Sequence, residues 1–328
     1  MTTTTPRRTD DAEVRRRIAA ELPNASAGVR GVEPAHRGKV RDVYARGDEL
    51  LLVASDRVSA FDVVLGTLPF KGELLTEQAT WWLARAAALG PTHLIERVDP
   101  AAMRCRRAEA LPVELVVRGY LAGSLAREPA TTRGHAYGLS LDPQQRPFTA
   151  FASPIITPTT KEAVGVHDQP CSLDEVVASG RVRRGHLERV CELARELFAL
   201  GQAVADDNGL ILVDTKYEFG LIGGDVAVID EVHTADSSRF WVKESYAARL
   251  NAGEPPEMLD KENLRRWLLA QGYAGQGTPP VLTDQVRSDV SAQYWSLTER
   301  VLGRRLDPQG ADAERQRRLV ESFLGVVG

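Results

Sequence analysis

The run Gly209-Leu-Ile-Leu-Val-Asp-Thr-Lys-Tyr-Glu-Phe-Gly220, followed closely by Val228-Ile-Asp-Glu-Val232, restricts what this chain can fold into more than any other feature. Both runs are apolar, strand-like and closed by acidic residues. On an extended strand, residues i, i+2 and i+4 share a face. Asp214, Lys216 and Glu218 therefore line one side, with Thr215, Tyr217 and Phe219 on the other. The strongly apolar residues 210–213 mark a buried element. Two carboxylates flanking a lysine fit an ordinary salt-bridged sheet surface. They equally fit a divalent metal carrying polyphosphate, the carboxylates taking Mg²⁺ and the ammonium a phosphate oxygen. Asp230 and Glu231, at the end of the neighbouring run, tilt the choice toward a site.

The 328 residues suffice for two domains of ordinary size. Hydrophobic content of 43% and charged content of 26% are those of a soluble globular protein. A net charge of -4 gives no electrostatic case for nucleic acid, although Arg104, Arg106 and Arg107 could hold a phosphorylated small molecule. Cys105, Cys171 and Cys191 are odd in number and lack metal-type spacing, so they read as reduced thiols of a cytoplasmic protein. No apolar run reaches the roughly 18 residues of a membrane span. The polar stretch 1–11 has no signal-peptide core and reads as a disordered tail.

Along the chain, the patterns predict a short helix over 11–22 and a hairpin over 38–54 around Arg46-Gly47-Asp48. A helix over 72–89 should stop at Gly90-Pro91. Strands are expected over 93–98 and 113–117, with a hinge between domains over 108–112. A Pro-rich irregular stretch, about 128–170, is long enough to be functional. Residues 184–205 form an amphipathic helix with Leu187, Val190, Leu193, Ala194, Leu197, Phe198 and Val204 apolar. Further helices are expected around 261–271 and 284–302.

Several polar groupings sit on this frame. Lys39 and Arg41 alternate on one strand face just after Gly38, as a lid over phosphates would require; a solvated hairpin is the plainer alternative, and the Walker spacing is absent. Ser55-Asp-Arg-Val-Ser-Ala-Phe-Asp62 packs acids, a base and hydroxyls after a strand, where sites tend to lie; a helix N-cap would also explain it. In Arg118-Gly-Tyr-Leu-Ala-Gly-Ser124, two glycines admit a ligand while Arg and Ser can hold phosphate, against the alternative of a plain turn. Lys261 and Arg265 share a helix face, as a solvated basic face would. The histidines show no zinc spacing, and neither a G-x-S-x-G elbow nor a G-x-G-x-x-G loop is present. A basic lid, an acidic metal hairpin and a separate phosphate pocket are the parts of an ATP-dependent enzyme that activates a phosphorylated substrate.

Gly38-Lys-Val-Arg-Asp-Val-Tyr44, Ser55–Asp62, Pro112-Val-Glu-Leu-Val-Val-Arg-Gly-Tyr-Leu-Ala-Gly-Ser124, Asp214-Thr-Lys-Tyr-Glu-Phe-Gly220 and Asp230-Glu-Val-His-Thr-Ala-Asp-Ser-Ser-Arg-Phe-Trp241 resemble, in order, the motifs of the phosphoribosylaminoimidazole-succinocarboxamide synthase (SAICAR synthetase) family. The resemblance spans about residues 36–271; it weakens past Tyr273 and is absent before Asp11. Gln169-Pro170 depart from the family pattern after His167-Asp168.

The resemblance implies an α+β, ATP-grasp-like fold: a small antiparallel β domain over a larger α+β domain, with ATP in the cleft between. The expected division is a disordered tail over 1–12, an ATP-covering domain over 13–111 and a metal- and substrate-binding domain over 112–328. The implied reaction joins 5-aminoimidazole-4-carboxyribonucleotide to L-aspartate using ATP and Mg²⁺, in a cytoplasmic monomer or small homo-oligomer without nucleic-acid or membrane partners. Carried over by residue, Lys39 and Arg41 would meet the ATP phosphates, with Glu114 near adenine. Glu218 and Asp230 would hold Mg²⁺, supported by Asp214 and Lys216. Arg118, Ser124, Arg239, Lys261 and Arg265 would bind the ribonucleotide. Asp56, Ser59 and Asp62, with a Thr157–Lys161 loop, would line the substrate side. Lys39 and Lys216 would act electrostatically in catalysis, and Asp214 could accept the amine proton. A metal shared by Glu218 and Asp230 calls for an odd-length loop centred on Gly224. A two-residue turn at Gly223-Gly224 would set Asp230 opposite Tyr217, facing away from Glu218. A ligase for another acid or amine, a nucleotide-sensing module and a kinase are the competing classes.

Overall fold

The computed structural model describes residues 8–161, 168–259 and 261–326. The first helix, α1 (Asp11–Glu21), starts at Asp10, whose carboxylate accepts the Ala12 N–H, an N-cap that satisfies one orphan donor. Of the tail expected over 1–12, residues 1–7 lie outside the described residues, whereas Thr9 donates its N–H to Glu299 at 3.0 Å and residues 11 and 12 belong to α1. Next come β1 (His36–Arg37), β2 (Arg41–Arg46) and β3 (Glu49–Ala54), with the expected hairpin closed at Gly47, φ 57°. A second hairpin pairs β4 (Arg57–Ala60) with β5 (Val63–Thr67), so the Ser55–Asp62 motif opens a strand rather than capping a helix. Then follow α2 (Lys71–Ala86), β6 (Leu94–Asp99), β7 (Ala102–Arg106) and the long β8 (Glu109–Tyr120).

The next elements are α3 (Gly123–Arg127), β9 (Ala150–Thr160), α4 (Leu173–Ala178) and α5 (Arg184–Asp207). The acidic run is β10 (Leu210–Ile222), returned by β11 (Asp225–Ile229) and flanked by β12 (Ser238–Val242). Four helices follow: α6 (Lys243–Asn251), α7 (Glu262–Ala270), α8 (Asp284–Leu302) and α9 (Ala313–Leu324). Every pairing between these strands is antiparallel, which makes the chain an α+β protein. Among the described residues no helix is long and apolar enough to cross a membrane.

The chain divides into two compact units, Met1–Trp81 with Leu94–Arg107 and Leu259–Gly328, and Trp82–His93 with Ala108–Met258. This differs from the linear division expected at 111/112. Helices α7, α8 and α9 belong with the first unit, and contacts of α8 and α9 show why. Val320 of α9 packs against Tyr44, Leu51 and Val53 of β2 and β3, with Leu319 and Phe323 beside it. Thr298 of α8 accepts a buried bond from Gln78 at 2.7 Å. The first unit's main sheet runs β1-β2-β3-β7-β6. Arg104 on β7 pairs with Glu96 at 2.8 Å and Glu49 at 3.7 Å on the two adjoining strands. Of the three arginines read as a possible phosphate holder, Arg104 thus has its charge answered by the sheet's own carboxylates.

The second unit is built on a sheet ordered β11-β10-β8-β9, with β12 also paired to β10. The hinge expected over 108–112 lies mostly inside β8. The stretch expected to be irregular contains β9, whose Pro154 and Pro158 are tolerated because β9 is an edge strand. Helix α5 covers this sheet with Leu187, Val190, Leu193, Ala194, Leu197 and Phe198 buried as the periodicity predicts, while Val204 stays half-buried. A Cβ on Gly201 would come within 2.4 Å of His233 Cε1, so α5 needs glycine there to seat that ring.

Candidate active site

Strand alternation is obeyed along β10. Thr215, Tyr217 and Phe219 are fully buried, while Lys216 and Glu218 are half-buried on the other side. Two polar clusters form where this face meets β8. In the first, β10 and β8 set Glu218 directly opposite Glu114. Like charges so placed repel, and Lys216 resolves the conflict by donating to Glu114 Oε1 and Glu218 Oε1, each at 2.9 Å. Lys161 also donates to Glu218. Burial alone would raise the Glu218 carboxyl; the Lys216 and Lys161 ammoniums outweigh it and hold Glu218 well below the usual carboxylate range. The Glu114 carboxyl is raised, by burial first and then by the Glu218 charge, against the pull of Lys216. Burial would lower Lys216, yet the carboxylates of Glu218, Glu114 and Asp230 keep its pKa above the ordinary lysine value.

The backbone at Asp230 takes a course the sequence did not suggest. The turn between β10 and β11 is the two-residue one, Gly223 and Gly224 at φ 62° and 93° between paired Ile222 and Asp225, the conformation a tight hairpin demands. The odd-length loop is therefore overturned. Pairing ends at Glu218 with Ile229, and a continued strand would turn Asp230 away from Glu218. Asp230 instead leaves the strand at φ 62°, and its charge acts on Lys216. Among the described residues no three His, Cys, Asp or Glu side chains converge as a complete metal site. Mg²⁺ needs no such cage, because one or two carboxylates suffice when phosphates supply the remaining oxygens. The hard carboxylate oxygens of Glu218 and Asp230, whose charges both act on Lys216, fit that requirement.

The second cluster lies two residues back along the same face. Asp214 sits opposite Arg118 on β8 and Arg239 on β12. Its Oδ2 accepts from Arg118 Nη1 at 3.3 Å, and both its oxygens accept from Arg239 Nη1, at 2.9 and 2.8 Å. Arg118 Nε donates to Thr157 Oγ1 at 2.9 Å and its Nη2 lies 3.4 Å from Ser124 Oγ. Gly123, at φ 61°, touches the Arg239 guanidinium so closely that a Cβ would lie 2.5 Å from its central carbon. Two guanidiniums face one carboxylate, with a hydroxyl and a short helix start beside them. The excess positive charge suits an anion. Asp214 is thus the counter-ion that orients two arginines, with both of its oxygens engaged by guanidinium groups.

The other expected residues scatter. Thr157 and Thr160 belong to β9 rather than to a loop, and Lys161 contacts Glu218. Asp56 is buried, accepting the Ser26 N–H at 2.7 Å and the Gly72 N–H at 2.9 Å. Burial pushes its carboxyl up to about 6 against those two hydrogen bonds. Those two bonds tie together separate segments of the first unit. Ser59 is buried in β4, while exposed Asp62, at φ 63°, lies 2.5 Å from Lys39 Nζ. Arg265 pairs with Glu262 at 3.2 Å; it and Lys261 belong to the first unit, whereas Arg118, Ser124 and Arg239 belong to the second. His167 lies outside the described residues. Sequence reasoning missed Arg57 and Asp42, a buried ion pair at 2.7 Å, although both stand inside quoted motifs. It also missed the Tyr217 hydroxyl bonded to His233 Nε2 behind the acidic face.

Residues 34–300 match the family model described as SAICAR synthetase, further along than the motifs alone suggested. The chain is 40% identical over 279 residues to a putative phosphoribosylaminoimidazole-succinocarboxamide synthase 2 of Mesorhizobium japonicum, covering 83% of this chain and 89% of that protein. It is 42% identical over 271 residues to the phosphoribosylaminoimidazole-succinocarboxamide synthase of Cytophaga hutchinsonii, covering 82% and 87%. Among solved structures, a Saccharomyces cerevisiae SAICAR synthase complexed with SAICAR superposes with a TM-score of 0.74 at 29% identity, covering 85% of this chain and 98% of that one. These matches, over most of the sequence, establish that the chain belongs to the SAICAR synthetase family.

Proposed function

We propose that this chain makes its amide bond through an acyl phosphate, with the two clusters on β10 dividing the work. As a SAICAR synthetase family member it is an ATP-dependent carbon–nitrogen ligase of purine biosynthesis, joining 5-aminoimidazole-4-carboxyribonucleotide to L-aspartate. A carboxylate is a poor electrophile. Its oxygen would attack the γ-phosphorus of ATP, releasing ADP. The aspartate amine would then attack the acyl carbon, expelling phosphate and losing a proton. Lys216, fixed between Glu114 and Glu218, would place positive charge against the transferring phosphoryl group; Lys39 and Arg41 are assigned to the ATP phosphates on the resemblance alone. Glu218 and Asp230 would hold Mg²⁺, which when bound neutralises polyphosphate charge. Arg118, Arg239 and Ser124 would grip the ribonucleotide phosphate, held in place by Asp214 and Thr157. Lys261, Arg265, Ser59 and Asp62 are assigned to the substrates on the resemblance alone.

The observation that carries this reading is the register of β10, which gives one strand face an acidic, lysine-bridged end and an arginine-rich end. The ATP-grasp-like arrangement, a cytoplasmic location and a monomeric or small homo-oligomeric state belong to the same proposal. Purified protein with ATP, Mg²⁺, the carboxyribonucleotide and L-aspartate should yield ADP and the succinocarboxamide product in equal amounts. With ¹⁸O in the substrate carboxylate, one label should appear in the released phosphate. Unlabelled phosphate would rule out the acyl-phosphate route. Replacing aspartate with other amino acids should abolish product, and ADP release at full rate without any amine would instead indicate a kinase.

A further inference from the structure

The turn carrying Lys39 is shaped from behind by a residue to which the proposed function gives no part. Arg57 Nη2 donates to Gly38 O at 3.0 Å, its Nε to Lys39 O at 3.2 Å, and its Nη1 to Ala27 O. The same guanidinium forks onto Asp42, Nη2 to Oδ1 at 2.7 Å and Nη1 to Oδ2 at 3.4 Å. Both side chains are buried, Asp42 completely. Gly28, at φ 127°, leaves them room: a Cβ there would lie 2.5 Å from Asp42 Oδ2 and 2.8 Å from Arg57 Nη1. The next carbonyl, Val40 O, accepts the Ser55 N–H at 2.8 Å and Ser55 Oγ at 2.9 Å, and Arg41 O accepts the Gly38 N–H at 2.8 Å. Every carbonyl from Gly38 to Arg41 is therefore occupied.

Peptide planarity converts this into a statement about donors. In a trans peptide the C=O of one residue and the N–H of the next point in opposite directions. Gly38 O and Lys39 O both aim at Arg57, so the N–H groups of Lys39 and Val40 aim away from it. Among the described residues neither N–H meets a protein acceptor. Two successive N–H groups turned to one side make an anion-binding concavity, and here the carbonyl oxygens that would repel an anion are withdrawn on the opposite side. We propose that Arg57, anchored by Asp42, is a positioning residue that presents the Lys39 and Val40 amides to a phosphate group of the nucleotide. This rests on the ligase reading and adds backbone donors to its Lys39 side chain. Lysine could not replace Arg57, because a single ammonium lacks the planar fork that serves separate carbonyls and a carboxylate together.

Arg57→Lys tests the proposal. Calorimetric ADP affinity should fall about tenfold, the equivalent of one charge-assisted hydrogen bond. KM for ATP should rise in step, while KM for aspartate and for the ribonucleotide stays at the wild-type value. Ser55→Ala, which keeps the Ser55 N–H on Val40 O, should bind ADP as wild type does. The wild-type protein gives an independent readout: the Lys39 and Val40 amide proton resonances should move downfield when ADP is added. Unchanged ADP affinity in folded R57K, or unmoved Lys39 and Val40 resonances in wild type that binds ADP, overturns the inference and leaves the ligase reading standing. Wild type that binds no ADP overturns both.

Discussion

The two clusters on β10 share a strand, a face and a partner strand, and they solve opposite problems. At Glu218 the register forces two glutamates together, and lysines from β10 and the end of β9 hold them. At Asp214 it forces two arginines toward one carboxylate, with Ser124 and Thr157 taking the remaining contacts. Both resting arrangements are internally paired, so neither leaves a bare charge. Their surpluses nevertheless differ in sign, acid at one end and base at the other. A strand face with such polarity can take a cation-bearing polyphosphate at one end and a phosphate monoester at the other without either ligand competing for the wrong end. Buried pairing also costs flexibility: Asp214 is 2% exposed and Arg118 4%, so the arginine end is pre-organised, whereas Lys161 and Lys216 are each 38% exposed and free to exchange a carboxylate for a phosphate.

The sharpest way to break this division is to neutralise one end and look for damage at the other. Glu218→Gln keeps the shape and removes the acid that answers Lys216 and Lys161. Turnover should fall roughly a thousandfold, the scale of losing a principal electrostatic group at a transferring phosphoryl, with ribonucleotide affinity unchanged by calorimetry. Arg239→Met does the reverse. It should raise KM for the ribonucleotide about a hundredfold, the upper range for a charge-assisted contact, and leave ADP affinity alone. If E218Q weakened ribonucleotide binding as strongly as R239M does, the two ends would form one site and the division would fail.

The comparison also separates what the chain disclosed from what it withheld. The Asp214–Lys216–Glu218 face was legible because period-two alternation depends on the local backbone alone, and the burial of Thr215, Tyr217 and Phe219 bears it out. The amphipathic α5 was legible for the same reason. The path of Asp230 was not, since the loop-length argument assumed that it stays in the strand, and its φ of 62° is a departure that no neighbouring residue announces. Asp56 read as a site residue because it follows a strand and falls in a family motif; that its oxygens meet the Ser26 and Gly72 amides depends on chain segments brought in by the fold. The return of α9 to the first unit's sheet is likewise a long-range choice. Periodicity showed which faces are apolar, and left open which partner each would cover.

Gly123→Ala sharpens the arginine end at lower amplitude. Its φ of 61° disfavours any side chain, and the new Cβ would press on the Arg239 guanidinium. The variant should lose about 1–3 kcal/mol of unfolding free energy from backbone strain and about tenfold in ribonucleotide affinity. ADP affinity should hold. A loss of stability without a loss of ribonucleotide affinity would mean that Arg239 can move aside, and that this end is less rigid than its burial implies.

The smallest effect concerns the frame that keeps both ends in register. Tyr217 lies between Lys216 and Glu218 but points into the core, where its hydroxyl meets His233 Nε2, and the His233 ring packs edge-on to Trp82 at 4.4 Å. Burial pushes the His233 imidazole down to about 3 from its usual 6.5, so the folded chain keeps it neutral while the unfolded chain protonates it near 6.5. Between those values the unfolded state binds more protons, and stability must rise with pH. This group's contribution is complete above pH 6.5 and is lost as pH falls toward 3, at about 1.4 kcal/mol per pH unit at most. Urea unfolding at pH 7, 6 and 5 should show wild type losing stability faster than His233→Leu, by up to one proton's slope. The leucine variant should be weaker at pH 7, because the Tyr217 hydroxyl is left buried without its partner. Parallel slopes would place the imidazole in contact with water and remove it from the frame. A slope difference with unaltered ADP and ribonucleotide affinities would show that the frame carries stability while the two ends carry binding.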